Sequence, residues 1–98
     1  MIVVRDVFHV DPEQMKTAKE IMEQHREIAK RLGYHVGRVM TDLTGEYYTL
    51  VLESDFSSLA QYESSLKAIF ADAAWQESYG RFRKMIRGGH RKIYTLVE

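Results

Sequence analysis

The chain has 98 residues, 45% of them hydrophobic, and its 14 Lys and Arg residues balance 14 Asp and Glu residues. This length predicts one domain over residues 1–98, and zero net charge argues against a nucleic-acid interface, which needs excess positive charge. The sequence has no cysteine, which excludes disulfides and cysteine-ligated metals, and no apolar run long enough for a membrane span, so we expect a cytoplasmic protein.

The first predicted element is a strand over residues 2–10, which are rich in β-branched and aromatic side chains. A helix begins next, because Asp11 is a good N-cap and Pro12 suits the first helical position. Its apolar residues form one broad stripe, and Gly33 ends it. The stripe consists of Met15, Ala18, Ile21, Met22, His25, Ile28, Ala29 and Leu32.

Two further strands are predicted over residues 34–41 and 46–54. The turn-forming residues 42–45 lie between them, which indicates an antiparallel hairpin. The second of these strands is the more apolar, so we expect it in the centre of the sheet.

Helical periodicity returns after residue 54, with Asp55 or Ser57 as the predicted N-cap. A second cap signal at Asp72 opens another helical segment, and the pair Gly88-Gly89 is predicted to end it. Residues 93–97 form the last predicted strand.

This order of elements predicts an α+β, ferredoxin-like βαββαβ fold, with both helices on one face of a four-stranded antiparallel sheet. Strand one carries apolar side chains on both faces: Val4 and Phe8 point one way, Val3 and Val7 the other. A sheet face in water should be polar, so the second face needs a cover. The simplest cover is the same face of a second copy, which predicts a homodimer.

Several residues in this framework resemble those of a known superfamily. Phe8 stands four residues before Pro12, and the segments FADAAW (residues 70–75) and RKIY (residues 91–94) flank Arg81. Together they resemble the dimeric α+β barrel superfamily, and within it the NIPSNAP-like and antibiotic-biosynthesis-monooxygenase-like proteins. The resemblance implies a homodimer joined through its sheet faces and a small-molecule pocket between each sheet and its helices. Members include cofactor-free oxygenases, haem-degrading enzymes and isomerases, so the reaction stays open.

Two residues are candidates for catalysis. His25 lies in the middle of the helical stripe, where a neutral imidazole facing the sheet could take a proton from an acidic phenol or enol. The alternative is a core histidine with a hydrogen-bonded ring. Asp6 shares a strand face with Val4 and Phe8, and a carboxylate buried there needs a partner or a raised pKa. The alternative is a β-bulge or a rim position.

Five aromatic residues are candidate walls of a ligand cavity, because flat, rigid rings suit planar ligands. They are Phe8, Tyr48, Tyr62, Trp75 and Tyr79. Core packing is the alternative for each of them. Phe82, on the same predicted helical segment as Trp75 and Tyr79, is predicted to be core.

Basic residues concentrate near the C-terminus. This pattern indicates a solvated helix face and an edge strand whose charges prevent further strand pairing. The alternative is that these residues attract an anionic ligand. They are Arg81, Arg83, Lys84, Arg87, His90, Arg91 and Lys92. The histidines at positions 9, 25, 35 and 90 lack the paired spacing of metal ligands, so we expect no metal and no cofactor. Ligation of haem by a single histidine is left open.

Two hypotheses of function follow. In the first, a small homodimer binds an aromatic or polyketide-like molecule between sheet and helices and acts as a cofactor-independent monooxygenase or isomerase, with His25 or Asp6 removing a proton. In the second, the dimer binds a ligand or assembles without catalysis. Hydrolase, P-loop and dinucleotide motifs are missing from the sequence.

Overall fold

The computed structural model describes residues 1–34 and 36–98, and within them the chain forms four strands and three α-helices. The elements in chain order are β1 (Ile2–Val10), a 3₁₀ turn (Pro12–Gln14), α1 (Met15–Arg31), β2 (Arg38–Thr41), β3 (Thr49–Phe56), α2 (Leu59–Phe70), α3 (Ala73–Arg83) and β4 (Ile86–Thr95).

The sheet is antiparallel, with strand order β2-β3-β1-β4. The predicted ferredoxin-like fold, with strands one and three in the centre, is therefore confirmed. In this register Asp6 lies between Leu52 on β3 and Arg91 on β4. The pairing thus sets an acidic side chain directly opposite a basic one.

The core lies between one sheet face and the helices. Val4, Val10 and Leu50 are buried from the sheet side, and Met22 and Phe82 are buried from the helix side. The predicted stripe of α1 is confirmed, because its buried residues are members of that stripe: Ala18, Ile21, Met22, His25 and Ala29. Burial of this amphipathic face stabilises the helix on the sheet.

Side-chain caps start the later helices. Asp72 caps α3 as predicted, since its carboxylate accepts the Trp75 amide at 3.0 Å. The cap of α2 is Ser58, whose hydroxyl accepts the Gln61 amide, so the prediction of Asp55 or Ser57 is wrong. Ser58 has the extended backbone and the three-residue spacing that a cap needs.

The largest correction concerns β4, because Gly88 and Gly89 do not end a helix but lie within this strand. Gly89 pairs with Phe8, and a Cβ built on Gly89 would lie 2.2 Å from the carbonyl oxygen of Val7. Glycine is therefore required by a close backbone approach. The strand is also longer than predicted and contains a register shift opposite His9 and Val10.

The predicted strands of the hairpin begin too early, because β2 starts at Arg38 and β3 at Thr49. The residues before β3 form a loop in which Gly45 has φ 118° and Tyr48 has φ 60°. Left-handed backbone of this kind interrupts a strand. His35, within the first predicted strand, lies outside the described residues.

The other sheet face, here called the open face, carries no helix in the described part of the chain. Val3, Val7 and Val51 lie half-buried on it. At its centre Glu53, only 5% exposed, forms ion pairs with Arg5, at 2.6 Å, and with Arg38. Hydrogen bonding by Arg5, reinforced by Arg38, lowers the pKa of the Glu53 carboxyl.

Candidate functional site

A cavity of about 110 Å³ lies between the sheet and the helices. Every strand except β2 contributes to its wall, and so do all three α-helices. For comparison, an apolar protein cavity of roughly 150 Å³ binds benzene. The space is therefore on the scale of one aromatic ring.

His25 forms part of the inner wall of this cavity, where the buried stripe of α1 meets α3. The side chain is 3% exposed, and its Nε2 has no hydrogen-bond partner among the described residues. Burial lowers the pKa of His25; Arg81 acts in the same direction and the backbone of Ser78 opposes it. The imidazole is consequently neutral near pH 7 and can accept a proton.

Trp75 and Tyr79 form an aromatic wall beside His25. The Trp75 ring centroid lies 4.5 Å from that of His25 and 6.2 Å from that of Tyr79, and the Trp75 and Tyr79 rings are stacked at 9°. The indole Nε1, which can only donate, is buried and has no acceptor among the described residues. Tyr79 is 37% exposed, so it lies where the wall reaches the surface.

Asp6 and Arg91 form the charged side of the cavity. The Arg91 Nε donates to Asp6 Oδ1 at 2.5 Å, and the Asp6 side chain is 18% exposed. Asp6 thus lies on the helix-facing side of β1, and its partner is Arg91. An ion pair satisfies a carboxylate that would otherwise be costly to bury.

Two tyrosines lie close to this ion pair. Burial raises the pKa of Tyr34 far above its usual value, with further contributions from Tyr62 and Asp6. Burial also raises the pKa of Tyr62, whose hydroxyl has no hydrogen-bond partner in the described structure. Both phenols therefore stay protonated at physiological pH, and the Tyr34 hydroxyl has Ser54 as a hydrogen-bonding neighbour.

The structure brings most of the predicted site residues together. Phe8 lines the cavity and contacts Phe82 edge to face at 5.2 Å, and Phe82 is buried core as predicted. Tyr62 is not among the residues that line the cavity, and its ring packs against Phe56. Tyr48 is not brought to the cavity; it is 46% exposed in the loop before β3.

Sequence reasoning missed three polar lining residues, Tyr34, Ser54 and Arg91. Arg91 was assigned to a solvated edge strand, but the antiparallel pairing of β1 with β4 sets it opposite Asp6. Opposite charges on facing strands are a usable signal once the register is known. Tyr34 fell inside a predicted strand that begins later in the structure.

Within the described residues, no group of three or more His, Cys, Asp or Glu side chains is arranged to hold a metal ion. Across those residues, we also find no helix with the length and apolarity to cross a bilayer. Two residues that line the cavity, His25 and Trp75, instead each carry a buried polar atom without a hydrogen-bond partner in the described part of the chain.

Residues 5–98 match the family model of NIPSNAP. The chain belongs to the NIPSNAP family. The family assignment covers β1 from Arg5 onward and every later element, so the resemblance found in the sequence is confirmed.

Solved structures of NIPSNAP proteins share this fold. One is a NIPSNAP family protein from Agrobacterium tumefaciens (TM-score 0.92, 13% identity, covering 99% of this chain and 86% of that one). Another is an uncharacterised NIPSNAP domain protein from Burkholderia xenovorans (TM-score 0.90, 12% identity, covering 99% and 95%).

A candidate antibiotic biosynthesis monooxygenase from Nitrosomonas europaea is also similar (TM-score 0.77, 13% identity, covering 100% of both chains). Identities this low establish a common fold and nothing about chemistry. No curated protein matches the chain.

Proposed function

We propose that this NIPSNAP protein binds a small planar molecule with an acidic hydroxyl group in the cavity, and that His25 accepts the hydroxyl proton. The observation that carries the proposal is the buried Nε2 of His25, which has no partner among residues 1–34 and 36–98, in the wall of a ring-sized cavity. Leaving a buried polar atom unpaired costs stability. A ligand that supplies the missing hydrogen bond recovers that cost.

The proton step needs only groups of this chain and the ligand. The ligand O–H donates its proton to Nε2 of His25, which leaves an oxyanion on the ligand and an imidazolium on the protein. The neighbouring Trp75 Nε1–H, which has no acceptor among the described residues, can stabilise the oxyanion. Deprotonation of this kind is the first step shared by cofactor-free oxygenation and by enol isomerisation.

The volume of the cavity favours a small ligand over the larger ones that the sequence left open. One planar ring matches about 110 Å³ better than a polycyclic polyketide does. Haem does not fit inside this cavity, because its four pyrrole rings need several times this space.

We also propose that the protein is a homodimer joined through the open face. Half-buried valines on a sheet face without a helix, together with the cluster formed by Glu53, Arg5 and Arg38, support a second copy as the cover. Sedimentation at micromolar concentration should give a dimer, and Val7→Asp should shift it to monomer. A well-behaved wild-type monomer would contradict this proposal.

The cavity is tested with 4-nitrophenol, whose neutral and ionised forms absorb at different wavelengths. Wild-type protein should bind the phenol and raise its ionised fraction. His25→Leu should melt at the wild-type temperature or above it, because a buried nitrogen without a partner among the described residues is removed, yet leave the ionised fraction of the phenol at its value in protein-free buffer. His9→Leu is the matched control, since His9 lies on the other sheet face, and it should behave as wild type.

Trp75→Ala separates a cavity wall from packed core. Truncating a tryptophan in a packed core costs roughly 3–5 kcal/mol, and a ring that already borders empty space should cost less. A full core cost for Trp75→Ala, together with no response to 4-nitrophenol in the wild type, would mean that the space between sheet and helices is ordinary packing.

A further inference from the structure

The cavity borders a surface groove on β4. Cavity and groove share four lining residues, Asp6, Phe8, Tyr79 and Arg91, so the two spaces are adjacent. The side-chain-free backbone of Gly88 and Gly89 forms part of the groove's floor, and its volume is about 470 Å³. The groove therefore leaves room for a substituent larger than the ring in the cavity.

Positive charge lines this groove. Arg83, Arg87 and Arg91 all contribute to its wall. Asp6 pairs with Arg91, and Asp11 pairs with Arg87 at 3.3 Å. Arg83 forms no ion pair within residues 1–34 and 36–98, so the groove keeps an uncompensated positive charge.

The ion pair with Asp6 does not use up the donors of Arg91. Asp6 Oδ1 accepts from Nε, and within the described residues the two terminal nitrogens have only the Tyr62 hydroxyl as a neighbouring acceptor. The Arg91 guanidinium carbon also lies 5.9 Å from the centre of the Tyr62 ring, whose buried hydroxyl has no partner in the described structure. A guanidinium held by its Nε presents its terminal nitrogens as a fork that suits a carboxylate.

The unmet hydrogen bonds define the complementary ligand. Trp75 Nε1 and the terminal nitrogens of Arg91 can only donate, whereas His25 Nε2 is free to accept when the imidazole is neutral. A complementary ligand carries one hydroxyl donor at the His25 end and an anionic acceptor at the Arg91 end.

The geometry points to a hydroxyaryl carboxylate, or an enol carboxylate of similar shape, as the ligand class: one planar ring in the cavity and a carboxylate in the groove between Arg91 and Arg83. This inference rests on the proposed function, since it assumes that the ring occupies the cavity. It adds the requirement of a negative charge, which the proton step at His25 does not need.

The test uses 4-hydroxybenzoate and its neutral analogue 4-hydroxybenzamide, with binding followed by fluorescence of Trp75, the one tryptophan in the sequence. The wild type should bind the carboxylate at least tenfold more tightly than the amide, and added salt should reduce this ratio. Arg83→Gln should lower the ratio without affecting folding, because Arg83 is exposed.

Arg91 is tested in the paired variant Asp6→Asn/Arg91→Gln, which leaves no unpaired charge in the cavity wall. Its ratio should fall close to one. The matched control for Arg83→Gln is Lys19→Gln, which also removes one positive charge. Lys19 is exposed on α1 and lines neither cavity nor groove.

The outcomes separate the two proposals. Equal affinity of the wild type for both compounds would overturn the anionic ligand class while leaving the cavity intact as a phenol site. A tenfold preference that survives both Arg83→Gln and the paired variant would also overturn it, because the carboxylate would then be bound elsewhere. Failure of both compounds, and of 4-nitrophenol, to bind would overturn the cavity proposal and this inference together.

Discussion

Replacing Gly89 with alanine should disrupt the pairing of β1 with β4. The added Cβ would lie 2.2 Å from the Val7 carbonyl oxygen and 3.2 Å from the Phe8 Cα, both backbone atoms, whereas real Cβ contacts essentially never fall below 3.0 Å. One strand must therefore move by about 1 Å, which stretches neighbouring ladder hydrogen bonds beyond their normal range near 2.9 Å.

The magnitude follows from the number of bonds affected. Two or three ladder bonds weakened at about 1 kcal/mol each give a loss of roughly 2–3 kcal/mol. For a domain of this length, each 1 kcal/mol lowers the melting temperature by roughly 4–8 °C. Circular dichroism melts and urea titrations of Gly89→Ala should show this loss.

Gly88→Ala is the matched control, because it places the same methyl group one residue earlier in the same strand. A Cβ on Gly88 meets nothing within 4 Å. Its effect should be neutral or a gain of up to about 1 kcal/mol through reduced freedom of the unfolded chain. If the two variants melt together, β4 does not pair with β1 in the described register, and the position inferred for Arg91 fails as well.

Three further variants test separate features. Glu53→Gln should cost about 1–3 kcal/mol in urea titrations at pH 7, less than a fully buried ion pair because the arginines are partly exposed. The folded-state pKa of Glu53 is depressed, so its contribution is complete above about pH 4.5 and is lost as the pH falls through the folded-state pKa; the gap between variant and wild type should therefore close in acid. Tyr62→Phe removes a buried hydroxyl that has no hydrogen-bond partner among the described residues, and thermal melts should show unchanged stability or a gain near 1 kcal/mol; a clear loss would reveal a hydrogen bond at that hydroxyl. Ser58→Ala should cost about 1 kcal/mol in urea titrations by removing the cap that accepts the Gln61 amide, and no change would mean that α2 starts elsewhere.

The elements that could be predicted from the sequence are those whose pattern reflects local geometry. The stripe of α1 repeats at helical period, so the face that carries His25 follows from the residues alone. The cap at Asp72 is equally local, because its acceptor and the Trp75 amide are three residues apart. Strand alternation likewise places Asp6 on the same face of β1 as Val4 and Phe8.

Features that depend on contacts between distant residues could not be predicted in this way. A Gly-Gly pair is typical of a helix end, and only the Val7 carbonyl on another strand shows why Gly89 belongs to β4. The same missing strand register concealed Arg91, because nothing local indicates that it lies opposite Asp6. The role of Arg91 as the partner of Asp6 therefore follows only from the pairing of β1 with β4.

The position of β1 also has a consequence for the order of folding. This strand is made first, yet it pairs with β3 through a register that ends at Phe56 and with β4 through one that ends at Thr95. At synthesis rates of about 5–20 residues per second, roughly 2–8 s separate the arrival of these two partners. Throughout that interval β1 remains an unprotected edge, and unpaired apolar edges promote aggregation. The nascent chain is thus most vulnerable after its hairpin has formed and before β4 is complete.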